Sequence, residues 1–379
     1  MVLIYPDDWH DAVEKIASGS TAEPRIVVLG PQGAGKSTFI RFALDKLISR
    51  YPSVCRLEAD CGQPDLSPPG VLNLSVKHQD RGRVEIVSQR FLGFVNPATN
   101  PISYAKVVGE VFEDYKREFS ACPLFVNCHG WDTGLGKTTW ESVITLVNPT
   151  LVVHVDSDED TARLDILPNN AFLKGTYPVP EPEWLPISRV IVMDEVEGKK
   201  KETSADRRWV KYASHFRPDL LFKDEFRACP PLEFYKYPYT RMLVLELSKI
   251  TFSFPCSDAV PEPTKAVEAL IVGLCNSASG QCVCLGFVAA SDAAKLYVVV
   301  PPNIPKALGD TIDHVVRGDM NWSPRDQVTH KGKFTSVDFT SNEHGEPYFL
   351  TNVLVDDAAG ARSASTRTNL QRKRLRPSR

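Results

Sequence analysis

An α/β fold, a mainly parallel sheet flanked by helices with a smaller β-rich domain after it, is what three observations on this 379-residue chain predict. Short apolar runs alternate with helical patterns over residues 1–228, as strands joined by crossover helices do. A glycine-rich segment, Gly30 to Ser37, occupies one strand-to-helix junction. After Pro230-Pro231 the texture changes to short β-favouring runs broken by Gly, Pro, Asn and Asp.

The elements follow in order. Arg25 to Leu29 (RIVVL) is a compact apolar run after Pro24, the pattern of a buried parallel strand. From Lys36 to Ser49, residues Phe39, Ile40, Ala43, Leu44, Leu47 and Ile48 recur at helical spacing, and Pro52 closes the segment. Further strands are expected at Cys55 to Ala59, Val84 to Val87, Leu124 to Asn127, Leu151 to Val155 and Val190 to Met193. A helix is expected from Ile102 to Phe119, where Val107, Val108, Val111, Phe112 and Tyr115 share one face. The second domain, residues 229–356, carries strand patterns at Leu243 to Leu247, Ala269 to Leu274, Cys282 to Ala289 and Lys295 to Val300. Residues 357–379 are poor in core-forming side chains and read as a basic, disordered tail.

Composition sets the class. An apolar fraction of 42% and a charged fraction of 24% are those of an ordinary globular protein, which excludes wholesale disorder. The nine cysteines are scattered, and the start MVLIYPDDWHDAVEK carries acids where a secretory signal has a basic stretch, so a reducing intracellular setting is expected. No apolar run approaches the roughly 18 to 20 residues that cross a bilayer, and no membrane role is expected. Net charge is −3, yet the seven Arg and Lys from Arg362 onward leave a body of 37 basic and 47 acidic residues. Gln371-Arg372-Lys373-Arg374-Leu375-Arg376 packs cations densely enough to attract phosphates or an import receptor; a solvated terminus is the plainer alternative.

Gly30-Pro31-Gln32-Gly33-Ala34-Gly35-Lys36-Ser37 satisfies G-x-x-x-x-G-K-[ST] between a strand and a helix, which makes the first domain a P-loop fold of the nucleoside-triphosphatase type and ATP its cofactor. The glycines let backbone N–H groups turn inward around phosphates, and the following helix, which continues through Thr38, adds its positive end. Lys36 is positioned to reach the β- and γ-phosphates and the Ser37 hydroxyl to ligate Mg²⁺. Gly134 to Thr139 ends like a second such loop, but Trp131 stands where its first glycine is needed, so Lys137 is not read as a nucleotide ligand.

Triphosphate transfer also needs an acid at the end of a neighbouring strand, to organise the metal or take the acceptor's proton. Glu58 and Asp60 stand at strand spacing in Cys55-Arg56-Leu57-Glu58-Ala59-Asp60, so both carboxylates are expected to face one site.

Beyond this, the chain resembles the polynucleotide 5′-hydroxyl kinases. Their P-loop is matched at Gly30 to Ser37, their D-x-x-Q element by Asp60-Cys61-Gly62-Gln63, and their T-x-G-W-x-x-G-x-G clasp by Cys128-His129-Gly130-Trp131-Asp132-Thr133-Gly134-Leu135-Gly136, with Cys128 in place of Thr. Leu57 to Gly70 (LEADCGQPDLSPPG) is similar to the ribosomal-RNA-processing branch. The resemblance implies that Gln63 positions Mg²⁺ or the acceptor, and that Cys128, Gly130 and Trp131 hold the RNA end, Trp131 by stacking a base. It implies a lid helix in Asp206-Arg207-Arg208-Trp209-Val210-Lys211-Tyr212, with Arg207 and Lys211 clamping the moving phosphoryl group and Lys211 standing where the family often has Arg. It further implies an RNA with a 5′-hydroxyl end as substrate, a HEPN-type endoribonuclease as partner, and a nuclear, nucleolar location. A nucleotide-binding scaffold for that nuclease, with weak or no transfer, is the competing reading.

Overall fold

The computed structural model describes residues 2–19, 24–157, 172–173, 182–193, 203–216, 241–255, 260–268 and 270–320. The chain divides into two compact units, Met1–Lys201 and Glu202–Arg379.

The first unit holds β1 (Val2–Ile4), α1 (Asp7–Ser18), β2 (Arg25–Leu29), α2 (Lys36–Leu47), β3 (Ser53–Glu58), β4 (Val71–His78), β5 (Val84–Phe91), α3 (Pro101–Phe119), β6 (Leu124–Asn127), α4 (Leu135–Val147), β7 (Leu151–Val155), β8 (Glu183–Ile187) and β9 (Ile191–Met193). Seven strands form one sheet in the order β5-β4-β3-β6-β2-β7-β8. The pairs from β3 through β8 are parallel, and β4 and β5 extend the sheet antiparallel at one edge. A separate two-stranded ribbon pairs β1 with β9.

Alternation along β2 explains the layering. Val27 and Leu29 enter a core made with α3 and α4, around Tyr104, Val108, Val111, Trp140 and Ile144. Ile26 and Val28 enter the opposite core, made with α1 and α2 around Trp9, Val13, Phe39 and Leu44. Both faces are covered, so β2 reads as a continuous apolar run rather than an alternating one. At about 25 cal/mol per Å² of apolar surface, each fully buried Leu or Phe in these layers contributes about 2 kcal/mol.

Local chemistry sets the helix ends. Asn100 accepts from the Ser103 N–H at 3.0 Å and Pro101 opens α3, with Lys116 and Arg117 in its last turn against the carbonyl end. In α1, Asp7 and Asp8 occupy the first turn and Trp9, Ala12, Val13 and Ile16 form the buried stripe. Trp9 then donates its indole N–H to the Ser188 carbonyl at 2.8 Å, tying the start of the unit to its end. Pro186 sits within β8, an edge strand where its missing N–H costs no ladder bond.

The second unit contains α5 (Ser204–Phe216) and a six-stranded sheet. Its strands are β10 (Arg241–Glu246), β11 (Thr251–Ser253), β12 (Ile271–Cys275), β13 (Cys282–Ser291), β14 (Lys295–Val300) and β15 (His314–Arg317), in the order β10-β14-β13-β12-β15-β11. All pairs are antiparallel except β11 with β15. On α5, Tyr212 and Phe216 are buried, and the Tyr212 hydroxyl donates to the Met320 sulfur at 3.3 Å. Pro230-Pro231, most of the loop before α5 and the basic tail lie outside the described residues.

The described cysteines are all free. Among the described residues no helix is long and apolar enough to cross a membrane.

Candidate active site

The loop Gly30 to Ser37 turns from β2 into α2 at the carboxyl end of the parallel strands, where open α/β sheets place ligands. Gly30 has φ +137°, and a Cβ there would lie 2.4 Å from the Val155 carbonyl oxygen, so only glycine fits against the end of β7. Gly35 takes the N-cap position of α2 with left-handed backbone. The Lys36 side chain is 7% exposed, and its ammonium donates to the Gly30 and Pro31 carbonyls at 2.8 and 3.0 Å. Burial pushes its pKa below the ordinary lysine value, while Asp60, Cys128 and Glu58 pull it back up.

Three segments converge on this loop. First, β3 delivers Glu58 and the turn after it. Glu58 is buried and takes the Arg56 guanidinium at 2.5 Å, the Asn127 amide at 2.6 Å, and the backbone N–H groups of Asp60 and Asp65. Burial nonetheless raises its pKa, with Arg56 the chief opposing influence. Arg56 bridges onward to Asp65 at 2.7 Å. Asp60 lies two residues past Glu58, beyond the end of β3, so strand alternation no longer governs it. Its Oδ1 accepts the N–H groups of Gly62 and Gln63, both at 2.9 Å, which closes a tight side-chain turn and leaves it half-buried beside Lys36.

Second, β6 ends at Asn127, which the sequence reading did not single out. Its Nδ2 donates to the Ser37 hydroxyl at 3.2 Å as well as to Glu58, joining the loop to the buried carboxylate. The only signal was its place at the end of a predicted strand, immediately before the clasp.

Third, the clasp follows. A Cβ on Gly130 would lie 2.7 Å from the Gln32 backbone, so the clasp rests directly on the phosphate loop. The Gly136 Cα stands against the Trp131 indole, which is half-buried. Cys128 is fully buried in the core rather than on the open face, and burial pushes its thiol pKa up. His129 is also buried, and burial together with Lys36 drives its pKa down to about 3. Its neutral ring accepts the Trp131 N–H at Nδ1, 3.3 Å, and so carries its proton on Nε2 and donates to the Thr139 hydroxyl, 2.7 Å away; the Thr139 hydroxyl in turn donates a hydrogen bond to the Gly136 carbonyl.

That histidine makes a pH-dependent contribution to stability. An ordinary unfolded value near 6.5 lies above the folded value, so the unfolded chain binds the extra proton and stability falls as pH drops from about 6.5. Between pH 7 and 5 the wild type is expected to lose about 2 kcal/mol more than His129→Gln in urea unfolding. Equal losses in both proteins would show that His129 titrates normally.

Arg207 and Lys211 lie one turn apart on α5, in the second unit; the constellation around Lys36 is built by the first unit alone. Gln63 is half-buried in the Asp60 turn and Thr38 in the first turn of α2. Among the described residues no group of three or more His, Cys, Asp or Glu could hold a metal. The Ser37 hydroxyl and the Asp60 carboxylate are hard oxygen donors of the kind Mg²⁺ takes when phosphate and water complete its shell.

Residues 30–176 match the family model of the mRNA cleavage and polyadenylation factor CLP1 P-loop. The polynucleotide 5′-hydroxyl-kinase NOL9 of Arabidopsis thaliana is 25% identical over 350 residues, covering 83% of this chain and 90% of the relative. The polynucleotide 5′-hydroxyl-kinase grc3 of Schizosaccharomyces pombe is 28% identical over 60% of this chain, and human NOL9 is 33% identical over 41%. Those alignments span 35% and 23% of the two relatives' own lengths. A solved Clp1p–Pcf11p complex superposes with a TM-score of 0.57, covering 82% of this chain and 77% of the other at 10% identity, which establishes the shared fold.

Proposed function

We propose that this chain, similar to the polynucleotide 5′-hydroxyl kinases, is a member of that family and transfers the γ-phosphoryl group of ATP to the 5′-hydroxyl end of an RNA. The observation that carries the reading is the convergence within one unit of phosphate loop, Asp60 turn and clasp, with Gly130 seated on the Gln32 backbone.

In this scheme the loop Gly30 to Thr38, through its backbone N–H groups other than at Pro31, and the Lys36 ammonium hold the phosphates. Mg²⁺, held by Ser37 with Asp60 and Gln63 organising its shell, would offset charge on the phosphate oxygens. The acceptor oxygen attacks the γ-phosphorus, the bond to the ADP oxygen breaks, and the acceptor's proton passes to Asp60. Trp131, with Gly130 and Cys128 shaping the clasp beneath it, stacks the terminal base without reading its identity. The role that the family resemblance implies for Arg207 and Lys211 is to neutralise the equatorial oxygens. Positioning and charge neutralisation carry most of such a reaction. The similarity to the ribosomal-RNA-processing branch supports pre-ribosomal RNA as the substrate class, a HEPN-type endoribonuclease as partner and a nucleolar location.

The test is transfer of labelled γ-phosphate from ATP with Mg²⁺ to matched RNA oligonucleotides carrying a 5′-hydroxyl or a 5′-phosphate, with the chain alone and with its candidate nuclease. Label on the 5′-hydroxyl RNA alone is the expected result. ATP binding without transfer in either arrangement would replace the kinase with the scaffold.

A further inference from the structure

We infer that Arg189 is a polyphosphate-binding residue of the nucleotide site, an assignment that rests on the ATP reading above and adds to it a cation outside every motif quoted. The segment Ser188 to Val190 follows β8 and is fastened down on both sides. Ser188 donates its N–H to Asp8 at 2.6 Å and receives the Trp9 indole N–H on its carbonyl, while the Val190 N–H reaches the Ala34 carbonyl at 3.4 Å. Val190 also packs against Gly35, where an added Cβ would meet its Cγ1 at 2.9 Å. Arg189 is thereby carried over the loop, and its Nη2 lies 3.8 Å from where a Gly33 Cβ would stand.

What the guanidinium does there is informative. Lys36, the cation the motif supplies, is turned into the protein and engaged by loop carbonyls, whereas Arg189 is 53% exposed at the open side of the loop. Its ion-pair partner among the described residues is Asp156, at a loose 3.7 Å. Asp156 follows β7 in a left-handed conformation, φ +64°, which aspartate tolerates better than most residues. A half-exposed pair this long adds little to stability. A phosphate offers the guanidinium a doubly charged, bidentate partner in its place. Arg189 therefore leaves Asp156 for the polyphosphate when nucleotide enters, and Asp156 competes with the ligand for it.

The assignment is tested by titration calorimetry on the full chain, with Mg²⁺-ATP, inorganic tripolyphosphate and adenosine as separate ligands. Arg189→Ala is expected to weaken ATP and tripolyphosphate alike by about tenfold or more and to leave adenosine unchanged. Arg189→Lys should recover part of the loss, and Asp156→Asn should tighten ATP binding in the wild-type background but not in Arg189→Ala. Loss of ATP affinity with tripolyphosphate untouched would place the guanidinium on the base and overturn the assignment, as would wild-type affinities in Arg189→Ala. A wild-type chain that binds neither ATP nor tripolyphosphate would instead sink the nucleotide reading itself and this residue's role with it.

Discussion

Lys36→Ala is expected to lower phosphoryl transfer by about a hundredfold to a thousandfold while leaving the fold intact. The ammonium sits between the Gly30 and Pro31 carbonyls with Asp60 and Glu58 close enough to raise its pKa against burial. It is a charge held out of water at some cost, so its removal relieves desolvation even as it removes the group proposed to meet the phosphates. The urea midpoint should therefore stay level or rise. Transfer that persists within a few-fold of wild type, at an unchanged midpoint, would take Lys36 out of the reaction. Arginine is no conservative replacement, because a 7%-exposed slot closed by two carbonyls has no room for its fork.

The second large effect is on stability. Arg56 and Glu58 are 2% and 1% exposed, and Arg56 also holds Asp65. Replacing such a pair together by apolar groups is often harmless, but deleting one partner strands a buried charge. Arg56→Met should cost about 3–5 kcal/mol in equilibrium unfolding, with part of the loss recovered at low pH as Glu58 is protonated. The sign follows from Glu58: its folded pKa is already raised by burial, and loss of Arg56 raises it further, so the penalty shrinks as pH falls through that value. The double variant Arg56→Met/Glu58→Gln should be more stable than Arg56→Met alone. Additive single effects would mean the two side chains do not interact. Because Glu58 also holds Asn127 and the Asp60 N–H, the single variant should lose activity along with stability.

Several elements were readable from the sequence because they answer to local rules. Arg25–Leu29, Leu124–Asn127, Leu151–Val155 and Lys295–Val300 have the expected bounds, each being a short apolar run between breakers. The phosphate loop was legible because a glycine conformation, a strand and a helix must coincide in one stretch of chain. β4 was not expected: Val71–His78 carries Asn73 and Ser75, both completely buried, and only pairing with β3 and β5 makes those polar side chains tolerable. α1 and α4 went unread for a related reason, since Trp9 and Trp140 find hydrogen-bond partners far along the chain or across a turn. The site divides the same way. Lys36, Asp60 and Trp131 announce themselves in motifs, whereas Asn127 and Arg189 matter through neighbours that the linear sequence keeps apart. Glu58 shows the limit of a periodicity argument: it and Asp60 satisfy strand spacing, yet the strand ends between them.

The clasping of α1 onto the segment after β8 has a consequence for how the chain is made. Trp9 and Ala34 leave the ribosome early, but their partners Ser188 and Val190 come 179 and 156 residues later, which at ordinary synthesis rates is about 8–36 s of translation. During that interval the phosphate loop exists as sequence without its wall, and the indole of Trp9 has no carbonyl to meet. Completion of the nucleotide site is thus timed by the arrival of β8 and β9, and a nascent chain halted before them would carry every residue of the P-loop motif without the surface that encloses it.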